Sequence, residues 1–353
     1  IAVSGESSAV NPISITHPVT VDLTPAAITI NTIATDDVIN GAEKGADLTL
    51  SGTTTNVEAG QTVTVTFGGK NYTASVASDG SWSATVPAAD LALLTDGSAS
   101  AQASVSNING NSASAVHNYS VDSSAPTIII NTVASDNIVN ASEADAGVTV
   151  SGSTTAEAGQ IVTITLNSPT VQTYQATVQA DGSWSINIPA ADLEALTDGS
   201  HTLTATVNDK AGNPASTTHN LAVDLTVPVL TINTIAGDDI INATEHGQAL
   251  VISGSSTGGE AGDVVTVTLN SKTYTTTLDA SGNWSVGVPA ADVSALGSGT
   301  QTVTATVTDV AGNSDNETHT VTVNLTAPTI GINPIASDDV INATEKSADL
   351  QIT

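Results

Sequence analysis

Apolar and polar residues alternate in short runs along the whole chain. In the run that begins near residue 61, Val63, Val65 and Phe67 fall on one face, and Thr64 and Thr66 fall on the other. A period of two is typical of strands, and Gly, Asp and Asn separate the runs as turns. In residues 23–122 the pattern predicts seven strands, at about 27–33, 47–52, 61–67, 71–77, 81–87, 99–106 and 113–122.

One segment interrupts the alternation. Residues 87–94 read Pro-Ala-Ala-Asp-Leu-Ala-Leu-Leu, with Pro first and Leu residues at i and i+3. Because Pro is favoured at a helix start, the segment predicts one or two helical turns. It recurs at 189–196 and 289–296.

An acidic stretch divides the chain into repeats. It occupies residues 36–43, 136–143, 238–245 and 338–345, so the copies begin 100, 102 and 100 residues apart. This period matches a common domain size. We therefore predict three full repeats at 23–122, 123–224 and 225–324, with 1–22 ending a preceding repeat and 325–353 starting the next. The chain is expected to be part of a longer array.

Seven short strands with turns every 8 to 12 residues are typical of an immunoglobulin-like sandwich. The predicted fold is all-β, with tandem immunoglobulin-like β-sandwich domains in an elongated rod. The linkers are short and contain Pro but no Gly, as in Leu-Thr-Pro at 23–25 and Leu-Thr-Ala-Pro at 325–328. Neighbouring repeats are therefore expected to touch rather than swing freely.

Composition narrows the possible partners. The net charge is −30 with only five Lys and Arg, which argues against nucleic acid and anionic membranes as partners. The absence of Cys excludes disulfides, and no apolar run approaches 18 residues, so no membrane insertion is expected. Divalent cations are the natural counter-charge.

The acidic stretches are the candidate metal sites. Three carboxylates in one loop repel one another unless a cation offsets the charge. Loops of a seven-strand sandwich alternate between its ends, so the acidic loop should meet the last strand's end and the next repeat's final hairpin. Ca²⁺ is predicted there, because Mg²⁺ demands a tight octahedron and Zn²⁺ favours Cys or His. The predicted ligands are Asp22, Asp36, Asp37, Glu43, Asp122, Asp136, Glu143, Asp209, Asp224, Asp238, Asp239, Glu245, Asp309, Asp338, Asp339 and Glu345.

A plainer interpretation of the acidic stretch remains open. Asp and Asn also form turns, and Asn40 with Glu43 could make a capping box for one helical turn. Asn107, Asn137 and Asn324 replace predicted carboxylates, so those sites should bind more weakly.

Other recurring residues suit structural roles. The single Trp of each repeat is predicted to anchor its core. The histidines of the last strands are predicted to be buried or half-buried spacers. No nucleophile motif is present, so the chain is not expected to be an enzyme. These residues are Trp82, Trp184, Trp284, His17, His117, His219 and His319.

The motifs Asp-Asp-Val-Ile-Asn-Ala-Thr-Glu, Gly-Ser-Trp-Ser, Pro-Ala-Ala-Asp-Leu and Asp-x-Ala-Gly-Asn are similar to those of a known family. They resemble the bacterial Ig-like repeats of giant type I-secreted, non-fimbrial adhesins. The resemblance implies a long rod on the bacterial surface, calcium at and near domain junctions, export through a type I system, and adhesion to glycans on host cells.

Two functional hypotheses follow. The first is a monomeric, calcium-rigidified stalk segment of a secreted or cell-surface adhesin that attaches to host cells. The alternative is an array of carbohydrate-binding modules that recognise host glycans directly, although only 2% of the residues are aromatic.

Overall fold

The computed structural model describes residues 2–5, 13–167 and 170–353, and it confirms an all-β chain of immunoglobulin-like repeats. Two compact units make up the chain. The first comprises Ile1–Asn131, Thr149–Asn187 and Thr202–Asn220; the second comprises Thr132–Val148, Ile188–His201 and Leu221–Thr353. The first predicted repeat therefore lies in the first unit and the third in the second unit. The middle repeat contributes to both.

In the predicted N-terminal fragment, β1 (Ala2–Gly5) pairs antiparallel with β2 (Ile13–Thr16). Residues 6–12 of that fragment lie outside the described part of the chain. The elements of the first repeat follow. They are β3 (Ala27–Ile28), β4 (Val38–Ile39), α1 (Gly41–Lys44), β5 (Leu48–Thr55), β6 (Thr62–Phe67), β7 (Lys70–Ser75), β8 (Ser81–Val86), α2 (Ala88–Leu91), β9 (Gly97–Ser106) and β10 (Ser112–Val121).

Two sheets form this repeat. One has the order β4-β10-β9-β6-β7, and the other has the order β3-β5-β8. Side chains from both sheets share one core, with Leu50, Val65 and Trp82 almost fully buried. Phe67 stacks on Tyr119, with ring centroids 4.6 Å apart. The alternation in the sequence thus gives the sandwich its apolar layer.

Strand β4 is the element that the sequence pattern did not predict. It pairs parallel with β10, with Val38 opposite Ser120 and Ile39 opposite Val121. The predicted strand at 27–33 is correspondingly shorter, since β3 ends at Ile28. A two-residue strand carries too little periodicity to be recognised, but this one fixes the acidic loop beside the last strand.

The middle repeat has the same order of elements. They are β11 (Ile128–Ile130), β12 (Ile138–Asn140), α3 (Ala141–Ala146), β13 (Val148–Thr154), β14 (Ile161–Asn167), β15 (Gln172–Thr177), β16 (Ser183–Ile188), α4 (Ala190–Leu193), β17 (Gly199–Asn208) and β18 (Pro214–Asp224). In the first unit β14 pairs antiparallel with β15 and β17. In the second unit β12 pairs parallel with β18, as β4 does with β10.

The third repeat lies wholly in the second unit. Its elements are β19 (Val229–Ile232), β20 (Ile240–Asn242), a 3₁₀ turn (Glu245–Gly247), β21 (Leu250–Thr257), β22 (Val264–Leu269), β23 (Lys272–Thr277), β24 (Asn283–Val288), α5 (Ala290–Val293), β25 (Gly299–Thr308) and β26 (Ser314–Asn324). The sheets are β20-β26-β25-β22-β23 and β19-β21-β24. Two further 3₁₀ turns, Ile335–Ser337 and Glu345–Ser347, follow.

The tryptophans are core anchors, as the sequence predicted. Trp82, Trp184 and Trp284 are 2%, 1% and 3% exposed. Gly254 lies opposite Trp284 in the β21–β24 pair. A Cβ atom on Gly254 would lie 1.9 Å from the Thr231 carbonyl oxygen and 2.7 Å from the indole. Only glycine leaves room for both neighbours.

The predicted helical turns at 87–94, 189–196 and 289–296 are present as the four-residue helices α2, α4 and α5. In the first repeat Asp90 accepts hydrogen bonds from Lys70 Nζ (2.5 Å) and from the Tyr72 hydroxyl (2.8 Å). In the third repeat Asp292 binds Lys272 and Tyr274 in the same way. Helices α2 and α5 are thereby fixed to the edge strand of the larger sheet.

Candidate cation sites at the repeat ends

The acidic loop of the first repeat is folded around its own carboxylates. Asp36 Oδ1 accepts the Val38 amide at 3.0 Å, and Asp37 Oδ1 accepts the Ile33 amide at 2.8 Å. Asp37 has a φ of 66°, in the left-handed region where Asp and Asn are the best-tolerated side chains after Gly. Thr35, which is β-branched, has a φ of 74°. The pair of acids therefore shapes a strained turn.

A histidine of the last strand completes this turn. His117 Nε2 lies 2.6 Å from Asp37 Oδ1, and His319 Nε2 lies 2.7 Å from Asp239 Oδ1. Both histidine side chains are about a quarter exposed, so the half-buried position predicted for these two is confirmed, whereas His17 is exposed. The carboxylate contact is an additional role. Hydrogen bonds lower the pKa of Asp37: the bond from the Ile33 amide has the larger effect, and the bond from His117 the smaller. The Ile235 amide and His319 lower the pKa of Asp239 in the same order.

The glutamate of the acidic loop caps the following turn. Asn40 Oδ1 accepts the Glu43 amide at 3.0 Å, and Glu43 Oε2 accepts the Asn40 amide at 3.0 Å. This is the reciprocal capping box that remained open as an interpretation of the sequence. Asn140 and Glu143 form the same box at the start of α3.

The other copies of the loop repeat these bonds. Asp136, Asp238 and Asp338 each accept the amide two residues on; Asn137, Asp239 and Asp339 each accept the amide four residues back; and Glu245 and Glu345 each accept the amide three residues back. Among the described residues, no group of three or more His, Asp or Glu side chains is arranged to hold a metal ion. Each acidic-loop carboxylate therefore has a local structural role.

The hairpin between the last two strands meets the preceding repeat through an asparagine. In the first unit Asn213 Oδ1 accepts the Gly41 amide at 2.7 Å, and Asn213 Nδ2 donates to the Asp122 carbonyl at 2.9 Å. Asp209 fixes this asparagine by accepting its amide (2.8 Å) and its Nδ2 (3.0 Å). The structure therefore brings Asp209 and Asp122 to the same junction, with Asn213 between them.

The second unit contains the same arrangement. Asn313 binds the Ala141 amide at 2.8 Å and the Asp224 carbonyl at 3.0 Å, and Asp309 fixes Asn313. Asn140 Nδ2 adds a bond to the Ala311 carbonyl at 3.1 Å.

At the start of the first repeat the hairpin contacts are made by two asparagines. Asp22 Oδ2 accepts Asn109 Nδ2 at 2.7 Å, and the Asp22 carbonyl accepts Asn111 Nδ2 at 3.3 Å. The Thr24 amide is the main cause that lowers the pKa of Asp22.

The linker aspartate Asp224 lies in an unfavourable charge environment. Burial raises the pKa of Asp224 above its usual range, and the Thr226 amide opposes that effect. The carboxylates of Asp309, Asp198 and Glu260 raise this pKa further by repulsion. Four carboxylates thus interact at the second linker, and two of them, Asp198 and Glu260, are not among the predicted ligands.

Asp96 and Asp198 are also absent from the predicted ligands, because Gly follows each of them and an Asp-Gly pair indicates an ordinary turn. In the structure both bind the linker after their own repeat. Asp96 Oδ1 accepts the Ser123 amide at 3.1 Å, and Asp198 Oδ1 accepts the Leu225 amide at 2.7 Å. Their replacement in the third repeat by Ser298 was the available signal, since Asn324 replaces the linker aspartate of that same repeat.

Comparisons with known proteins agree with the repeat architecture. The family described as bacterial Ig-like domain matches residues 125–225 and 230–325. Among solved structures, a Ca²⁺-stabilised adhesin with which an Antarctic bacterium binds ice is 36% identical, over 92% of this chain and 81% of that chain, with a TM-score of 0.46. A comparison with curated proteins finds no match.

Two further solved structures are similar. One belongs to a 1.5-MDa bacterial ice-binding adhesin studied for host cell surface retention; it is 35% identical, over 86% of this chain and 100% of that chain, with a TM-score of 0.43. The other is a bacterial immunoglobulin-like domain of the M. primoryensis ice-binding adhesin, 41% identical over 28% of this chain and 99% of that domain, with a TM-score of 0.24.

No helix within the described residues has the length and apolar character needed to cross a membrane. The two family matches together span more than half of the chain, and they coincide with repeats whose strands form immunoglobulin-like sheets. The chain therefore belongs to the bacterial Ig-like domain family.

Proposed function

We propose that this chain is a stalk segment of a large bacterial surface adhesin, in which calcium bound near the linker aspartates stiffens the joints between repeats. The observation that carries the proposal is the carboxylate group around Asp224, whose pKa is raised by burial and by its neighbours. A partly buried carboxylate crowded by like charges is stabilised by a divalent cation. The ice-binding relative that is 36% identical is itself described as Ca²⁺-stabilised.

The donor set suits calcium. Ca²⁺ takes six to eight oxygen ligands in flexible geometry. Asp224, Asp198, Asp309 and Glu260 would supply carboxylates at the second linker. Within the described part of the chain no three of these side chains are arranged around one point, so a bound ion would take one or two of the four carboxylates and complete its shell with backbone carbonyls. The acidic-loop carboxylates keep a supporting role in this proposal, since each already fixes the loop that faces the next hairpin.

The test compares melting of the whole chain in EGTA and in millimolar Ca²⁺. Calcium should raise the melting temperature of the wild-type chain. At a free calcium concentration of 100 Kd, the free energy of unfolding should increase by about 2.7 kcal/mol. Asp224→Asn should remove most of that response while leaving stability in EGTA unchanged or higher, because it removes repulsion. Asp279→Asn, which alters a turn carboxylate that accepts the Ser281 and Asn283 amides, is the control that should keep the calcium response. A wild-type chain whose melting ignores calcium would overturn the proposal.

Location and attachment extend the proposal. A secreted or cell-surface position, export through a type I system and attachment to host-cell glycans are proposed from the resemblance to non-fimbrial adhesins. The role assigned to this segment is structural rather than catalytic.

A groove in the first repeat supports the alternative of direct glycan recognition. It has a volume of about 750 Å³, and its lining includes Asp36, Ser98, Ser100 and Asn118. Such hydroxyl, amide and carboxylate groups could bind sugar hydroxyls, although all three tryptophans are buried and offer no stacking surface. Glycan binding that persists in EGTA and is lost on Ser100→Arg would favour this alternative; binding that requires calcium would not.

A further inference from the structure

The linker after the first repeat is bonded to that repeat chiefly through the carboxylate of Asp96, and Lys44 Nζ adds a bond to the Ser123 hydroxyl at 3.2 Å. Asp96 Oδ1 accepts the Ser123 amide at 3.1 Å and the Ser123 hydroxyl at 2.7 Å. Asp96 Oδ2 accepts the Ser124 hydroxyl at 2.7 Å. Hydrogen bonds to a carboxylate are stronger than those between neutral groups, so three of them hold the linker firmly.

The linker after the second repeat is attached in the same way. Asp198 Oδ1 accepts the Leu225 amide at 2.7 Å, and Asp198 Oδ2 accepts the Thr226 hydroxyl at 2.5 Å. The Leu225 amide is the main cause that lowers the pKa of Asp198. The aspartate thus remains ionised and able to accept both bonds at neutral pH.

The linker after the third repeat lacks this attachment. Ser298 stands where Asp96 and Asp198 stand in the other repeats. Within the described part of the chain, Ser298 makes no hydrogen bond to the linker. The Thr326 amide still donates to Asn324 Oδ1 (3.1 Å), and the Leu325 side chain packs against the core of the third repeat. The glycine that follows this position keeps its conformation, since Gly299, at the start of β25, has a positive φ like Gly199 at the start of β17.

We infer that the chain contains two classes of joint. The linkers at 123–126 and 225–228 are bonded to a carboxylate of the preceding repeat, whereas the linker at 325–328 lacks such a carboxylate. The difference needs no metal ion, because the hydrogen bonds exist between protein groups alone. The joint at 325–328 also lacks two negative charges, since Ser298 and Asn324 both replace aspartates.

The decisive experiment is amide hydrogen exchange of the whole chain, followed by mass spectrometry in EGTA. In the wild-type chain, the amides of 225–228 should exchange about tenfold more slowly than those of 325–328, because each hydrogen bond to a charged group slows local opening. Asp198→Ser should release 225–228, and Ser298→Asp should slow exchange at 325–328 by a similar factor. Ser is the natural residue at this position of the third repeat, so folding should be retained.

Asp279→Ser, far along the chain from both linkers, is the matched control that should change neither segment. Equal exchange at 225–228 and 325–328 in the wild-type chain would overturn the inference, and so would a lack of response to both substitutions. Because calcium is absent throughout, the result does not depend on the proposed calcium clamp. A failure of that clamp would instead appear as melting that is insensitive to calcium.

Discussion

Gly254→Ala offers a sharp test of the core geometry. The added Cβ would lie 1.9 Å from the Thr231 carbonyl oxygen, whereas real Cβ atoms essentially never approach closer than 3.0 Å, so strand β19 must retreat by about 1.1 Å, the difference between the two distances. The indole of Trp284, at 2.7 Å, must also move.

The expected cost follows from these displacements. Overpacking a core typically costs about 1–3 kcal/mol. The retreat of β19 also weakens backbone bonds such as Asn233 N to Ser253 O, now 2.8 Å, each worth about 1 kcal/mol. The total is about 2–5 kcal/mol. For a repeat of this size that corresponds to a melting temperature lower by roughly 10–30 °C.

Gly287→Ala is the matched control. Gly287 lies in β24, within the same sheet, has no positive φ, and has open space where its Cβ would be. This change should be neutral or stabilise by up to about 1 kcal/mol, because it restricts the unfolded chain. Scanning calorimetry gives both temperatures, and hydrogen exchange identifies the third repeat as the affected one. Equal melting of the two variants would refute the close approach of Trp284 and β19 to Gly254.

Four further predictions concern single groups. Thr35→Gly should raise the melting temperature of the first repeat by roughly 4–8 °C in calorimetry, because it relieves a left-handed β-branched residue, and the equivalent position in the third repeat is already Gly237. Asp239→Asn should melt close to wild type, since Asn137 adopts the same conformation in the middle repeat, whereas Asp239→Ala should melt clearly lower. Burial and the Asp292 carboxylate raise the pKa of Tyr274 to about 12, so ultraviolet titration should show late ionisation, and stability should fall as the pH rises from about 10 to 12, where only the unfolded tyrosine ionises. Asn313→Ala leaves the Ala141 amide and the Asp224 carbonyl without their partner, so hydrogen exchange at Ala141 should accelerate about tenfold or more, while exposed Asn316→Ala should not change it.

Much of the fold could be predicted from the sequence because its signals are periodic. Alternating residues such as Val63 and Val65 indicate strands, and the recurrent Pro-Ala-Ala-Asp segment indicates a helical turn. Strand β4 could not be predicted, because Val38 and Ile39 are only two residues whose pairing depends on a partner about 80 positions away.

The candidate site was harder to predict than the fold. The sequence drew attention to the clustered acids of 36–43, yet hydrogen bonding assigns Asp37 to a turn and Glu43 to a cap. The contacts that join hairpin and linker come from Asn213, an amide that composition and charge do not distinguish from any other. Asp198 binds linker residues that are 27 and 28 positions later in the sequence. Local sequence does not show such a contact, so the Asp-Gly pair at 198–199 indicated only a turn.

The parallel pairing of β4 with β10 has a mechanical consequence. Tension applied to the two ends of a repeat pulls β4 towards the N-terminus and β10 towards the C-terminus, so the two strands are sheared past each other. The bonds from the Ser120 amide to the Asp37 carbonyl and from the Asp122 amide to the Ile39 carbonyl are then loaded together. Bonds that must break simultaneously resist force better than bonds that open one at a time, as in the peeling of an antiparallel hairpin. A strand of only two or three residues is therefore placed, in each repeat, where it resists extension.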